Sequence, residues 1–133
     1  MTFRQTLSKH LRAIQGRDLE ALIDTISPDQ LTMIMSDGVV VRSPSEFARL
    51  HASWFESTSW TLDISQVAII ESSALGVATL LLEYRDEPED RPPVDQKSIL
   101  TLIFANQDGV WVLIHDQNTP VKPKPEAEED DVI

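Results

Sequence analysis

Apolar side chains recur at helical spacing near the start of the chain and at strand spacing near its end. Phe3, Leu7, Leu11 and Ile14 fall on one face of a helix, and Gly16 stands where such a helix would stop. Asp18 is placed to cap a second helix bearing Leu19, Leu22, Ile23 and Ile26, which Ser27-Pro28 closes. The period then changes. In "QLTMIMSDGVVVRS" (30–43), Leu31, Met33 and Met35 alternate with their neighbours, Asp37-Gly38 marks a hairpin turn, and Val39 to Arg42 return. "SPSEFARLHASWF" (43–55) opens a third helix: Ser43 can cap, Pro44 suits the first position, and Glu46 completes a capping-box pattern. Phe47, Leu50, His51 and Trp54 share one face of that helix.

From Ser57 onward the pattern is all strand: Trp60 to Ile70, Val77 to Arg85, Ser98 to Ala105 and Val110 to Asn118. "ESSALG" (71–76) and "NQDG" (106–109) are turn sequences, and the proline-rich "DEPEDRPPVDQK" (86–97) predicts a longer loop. Helices at one end and antiparallel strands at the other predict an α+β fold, with three N-terminal helices packed on a curved, mostly antiparallel sheet. Both faces of the terminal strands are apolar. Val110, Val112 and Ile114 oppose Trp111, Leu113 and His115, while Leu100, Leu102 and Phe104 oppose Ile99, Thr101 and Ile103. One helix layer covers only one face, so the other predicts a homodimer packed sheet to sheet.

Charge narrows the partners. The formal net charge is −11, from 22 acidic and 11 basic side chains, which disfavours nucleic acid. Five of the acidic residues lie in "PKPEAEEDDVI" (123–133), so residues 1–121 read as the domain and 122–133 as an acidic, solvated tail. There is no cysteine, no apolar run of the roughly 18 residues that cross a bilayer, and no signal-like apolar core near the start; a cytoplasmic protein without membrane contact is expected. The three histidines form no H-x-H or H-x-x-x-H pattern, so neither a metal nor a cofactor is expected.

The element order, the segment "SDGVVVRSPSEF" (36–47) and the terminal "GVWVLIHDQNTP" (109–120) resemble the NTF2-like superfamily over roughly residues 3–120. Within it, the likeness is to the SnoaL-like and calcium/calmodulin-kinase association-domain-like branches. Gly109, Trp111, His115 and Thr119 follow a terminal pattern of relatives loosely, with Gln117 where a second histidine often stands. The resemblance implies a cone whose helices close over the concave sheet face and leave a pocket, with dimerisation through the outer face. It leaves activity open, because this fold hosts isomerases, dehydratases, cyclases and association modules.

On alternation alone His115 shares a face with Trp111 and Leu113, and so is expected at the pocket mouth as an acid, base or hydrogen-bond anchor. Asp116 points the other way and cannot form a dyad with it. His51 on the apolar stripe of the third helix and Tyr84 at the end of a strand face are the other catalytic candidates. Trp54, Leu113, His115, Trp111 and Tyr84 are the expected ligand-binding set. His10 reads as a helix-edge residue, Glu83 as either a buried carboxyl suited to proton transfer or, more commonly, half of a cross-strand ion pair, and Asp63 and Arg42 as wall or rim residues. The leading expectation is a dimer with a pocket for a small apolar or weakly polar ligand. The alternatives are a cofactor-free isomerase, dehydratase or cyclase working by proton transfer, and a module whose role is oligomerisation.

Overall fold

Helix α1 (Phe3–Gln15) begins at Thr2, whose side chain accepts from the Gln5 N–H while the Gln5 side chain accepts from the Thr2 N–H. This reciprocal box satisfies two donors that a helix start leaves bare. At α3 (Pro44–Phe55), where the sequence predicts the same device, only half of it forms. Ser43 accepts from the Glu46 N–H, but the Glu46 carboxylate faces Arg49 at 3.8 Å instead. Between them, α2 (Leu19–Ile23) is shorter than its apolar stripe suggests, because Ile26 leaves the helix to bridge Leu113 of the sheet.

A computed structural model describes residues 1–122. Most of the expected tail, residues 123–133, lies outside the described residues. Six strands follow or interleave with the helices: β1 (Thr32–Ile34), β2 (Val40–Val41), β3 (Trp60–Glu71), β4 (Leu75–Asp86), β5 (Val94–Gln107) and β6 (Val110–Pro120). They form one sheet in the order β2-β1-β6-β5-β4-β3, antiparallel throughout except where β1 runs parallel to β6. This is the α+β arrangement the sequence predicts. The expected loop at 86–97 is shorter, since Val94 to Lys97 continue the ladder opposite Asp86 to Glu83.

Two irregularities shape the long strands. Gln66 pairs with Leu80 and Ala68 with Thr79, which leaves Val67 as an extra residue in β3. In β6, Leu113 pairs with Phe104 and His115 with Ile103, which leaves Ile114 without a partner. Such bulges bend a strand and increase its local twist. The second lies where the β6 edge changes neighbours: residues 25–27 bond to Leu113 (2.9 and 2.8 Å), and β1 takes over from His115.

The core lies between the helices and one sheet face. Phe3, Leu7 and Ile14 of α1, Leu22 of α2 and Phe47 of α3 pack against Ala78, Leu80, Leu100, Leu102, Phe104 and Leu113. Gly76 lies directly under Phe3, and a Cβ there would stand 2.5 Å from the ring, so only glycine admits α1 this close to β4. In the β5–β6 turn, Gly109 has a φ of 88°, a left-handed conformation that favours glycine.

Candidate functional site

The core does not fill the whole space beneath the helices. Toward α3 and the β1–β2 hairpin it opens into a cavity of about 410 Å³. Ile14 of α1 and Leu50, His51 and Trp54 of α3 form its roof. Leu62, Ile64, Leu82 and Leu100 form its floor. Buried Met33 pairs beside Asp116, exposed Ser36 and Asp37 stand at the cavity mouth, and Asp116 and Asn118 of β6 close the far wall. The size is that of a small-molecule site, and the lining is mostly apolar with a few polar groups.

The bulge decides which residues of β6 belong to that wall. In an unbroken strand, His115 would share a face with Trp111 and Leu113. Because Ile114 is absorbed as an extra residue, alternation restarts one position later. Asp116 then pairs with inward-facing Leu102 and Asn118 with Leu100, while His115 pairs with Ile103 on the outer face. The expectation that His115 shares a face with Trp111 and Leu113 is thereby corrected: the half-buried imidazole lies outside the cavity lining, 3.4 Å from Gln117. Its opposition to Asp116 stands, with the two faces exchanged. Sequence alternation misses Asp116, because nothing in the run "VWVLIH" marks where an extra residue enters.

Asp116 is buried, 6 % exposed, and among the described residues its carboxyl has no hydrogen bond or ion pair. Desolvation pushes its pKa up to about 7. Beside it, the buried Asn118 Oδ1 has no hydrogen-bond partner among the described residues. Of the two carboxyls that line the cavity, Asp37 is exposed and Asp116 is the one whose burial favours the neutral acid.

His51 lies across from them on α3. Its Nδ1 is 2.9 Å from the Phe47 carbonyl oxygen, which can only accept, so Nδ1 carries the proton. Burial lowers its pKa and keeps the ring neutral, so Nε2 holds a free lone pair. The ring stacks on Phe47 at 4.0 Å and meets Trp54 edge-on at 6.0 Å, which fixes its plane. Trp54 in turn stacks on the fully buried Trp60, with centroids 4.1 Å apart. The Arg17 guanidinium covers Trp60 at 4.0 Å and donates to the carbonyls of Ser57 and Trp60. A column of rings therefore holds the Trp54 wall.

The remaining expected residues lie elsewhere. Leu113 is fully buried in the core, and Trp111 packs on Phe3 at 5.6 Å. Tyr84 sits beside Trp54 and Trp60, outside the lining, with its hydroxyl 3.5 Å from Asp86, and burial pushes its pKa up. His10 is no helix-edge residue. It is completely buried, with Nδ1 2.7 Å from the Thr25 hydroxyl, and burial lowers its pKa to about 3. Glu83 is exposed opposite Lys97, and Asp63 and Arg42 are exposed. Among the described residues no group of three or more His, Cys, Asp or Glu could hold a metal ion, and no helix is long and apolar enough to cross a membrane.

Comparison with known proteins agrees with this architecture. The chain matches the SnoaL-like domain over residues 4–121. Among solved structures it is similar to a protein of the NTF2-like family from Streptomyces avermitilis, with 17% identity, a TM-score of 0.77, and coverage of 90% of this chain and 94% of that one. It is similar to a ketosteroid isomerase-like protein from Erwinia carotovora atroseptica, with 14% identity, a TM-score of 0.75, and coverage of 90% and 94%. It also resembles the S. rosetta CaMKII hub, with 16% identity, a TM-score of 0.69, and coverage of 88% and 92%. At these identities the likeness is one of fold. No curated protein matches the chain.

Proposed function

The chain belongs to the SnoaL-like domain family, and on that premise we propose that it takes up a small, largely apolar molecule in the cavity and moves a proton on it without a cofactor, as an isomerase or dehydratase does. One observation carries this reading: the unpaired Asp116 carboxyl in an apolar cavity, pushed up to about 7 by desolvation. A carboxyl of that basicity gives and takes a proton readily at neutral pH, which is what general acid–base catalysis requires. His51 supplies a second, uncharged base through Nε2, on the opposite side of the cavity. Proton abstraction next to a carbonyl, or elimination of a hydroxyl, needs such a pair and no redox or metal centre. The likeness in fold to a ketosteroid isomerase-like protein points in the same direction.

Deuterium uptake tests it without knowledge of the natural substrate. Small cyclic ketones incubated with the protein in deuterated buffer should acquire deuterium beside the carbonyl for at least one member of the panel. The rate should rise with pH through about 7 as Asp116 ionises. Asp116→Asn should reduce it by about a hundredfold or more, the usual scale for a positioned base. Exchange unaffected by Asp116→Asn would remove Asp116 from the chemistry.

A second reading concerns assembly, and we make it part of the same proposal. The outer sheet face carries half-buried Val77, Leu81, Ile99 and Ile103 and exposed Ile70, with no element of the described chain over it. A second copy packed on this face would cover it, and the likeness to a CaMKII hub supports assembly.

A further inference from the structure

We propose that the cavity selects an uncharged, hydroxyl-bearing molecule, an alcohol or phenol on an apolar body, whose O–H donates to the His51 Nε2. The inference rests on reading the cavity as a ligand site, and it adds the chemical class of that ligand.

The argument starts from the His51 tautomer. The proton on Nδ1 is committed to the Phe47 carbonyl, so Nε2 is an acceptor and nothing else. Among the described residues no side chain donates to Nε2, and His51 lines the cavity, so Nε2 is the ring atom left for a guest. An acceptor that a ligand covers without a donor loses its hydrogen bond to water and gains none. The ligand must therefore bring a donor to that point.

Charge excludes the other carriers. Among the described residues no lysine or arginine lines the cavity, while Asp116 stands inside and Asp37 at the mouth, within a chain of net charge −11. A carboxylate or phosphate would enter against two acidic groups with no cation to meet it. An ammonium would find one carboxyl, itself surrounded by apolar side chains. The pair would bury two charges at a desolvation cost that often exceeds their attraction. A neutral hydroxyl satisfies Nε2 without that cost, and its apolar body rests against Trp54, Leu62, Ile64 and Leu82.

Four matched probes test this by calorimetric titration at neutral pH: para-propylphenol, its methyl ether, para-propylbenzoate and para-propylbenzylammonium. The phenol should bind about tenfold or more tightly than the ether, the scale of one unsatisfied acceptor, and more tightly than either ion. In His51→Phe, which keeps an aromatic ring on Phe47, the phenol and the ether should bind equally. An ether that matches the phenol in the native protein, a benzoate or benzylammonium that exceeds it, or no binding by any probe would overturn the proposal. So would a phenol preference that survives in His51→Phe. The two readings fail separately. Ketone exchange lost with the phenol preference intact removes only the catalytic reading, and exchange retained without the preference removes only this one.

Discussion

Asp116 ties the site to the stability of the whole protein. Its carboxyl has an ordinary value of 3.8 and is pushed up to about 7 in the fold. The native state therefore keeps this proton between about pH 4 and 7, where the unfolded chain has lost it. The contribution favours folding below pH 4, fades as pH rises through that window, and is gone above 7. The full change is on the order of 4 kcal/mol. Asp116→Asn should remove this slope and melt at a higher temperature than the native protein at pH 8, with the two converging near pH 4. Equal melting temperatures at pH 8 would mean that the carboxyl is solvated. His115 gives a complementary expectation. His115→Ala should leave phenol binding within about twofold of native, because the imidazole lies outside the lining, whereas Trp54→Ala should weaken binding clearly in the same titration. His51 and Trp54 were legible in the sequence because a capped helix fixes its own phase and both fall on the stripe with Phe47 and Leu50. Asp116 was not, because a charged residue at a strand end looks the same whichever way it faces.

At the level of elements, local punctuation carried most of the legible signal. Ser43-Pro44, Asp37-Gly38 and Asp108-Gly109 mark a helix start and two turns, and each stands where the sequence places it. Gly76 reads as a turn residue, yet it belongs to β4, where its bare Cα admits Phe3. Its role depends on a helix 73 residues away in sequence, and no local pattern contains that. The β6 bulge is illegible for a related reason. It arises where residues 25–27 and β1 dock one after the other on the same edge, and an all-apolar run offers no contrast to reveal a slipped phase. Deleting Ile114 tests this account directly. The shortened strand alternates regularly with Leu113 inward, His115 outward and Asp116 inward, so the Asp116 carboxyl should still titrate near neutrality by NMR. A carboxyl that titrates near 4 in that variant would show that Ile114 is not the extra residue.

For the molecule as a whole, the two-sided apolarity of the C-terminal strands was visible without a structure, and the helices do cover only one side of the sheet. The sides of individual residues were less visible. Val112, which alternation assigns to the outer face, is 6 % exposed within the chain itself, while Ile103 and Leu81 stand half-buried on the open face. If a second copy covers that face, the native protein should sediment as a dimer, and Ile103→Glu should shift it to a folded monomer with an unchanged circular dichroism spectrum. Sedimentation of the native chain as a monomer at high micromolar concentration would end the assembly reading. Strand β6 serves both sides at once. Asp116 and Asn118 look into the cavity, and His115 and Gln117, one residue away along the same backbone, look outward. If a second copy covers the outer face, a guest that shifts this strand would move both surfaces together, and occupancy inside and pairing outside would share a single mechanical part. By reciprocity, whatever free energy the guest contributes to the pairing, the pairing returns to the guest's affinity.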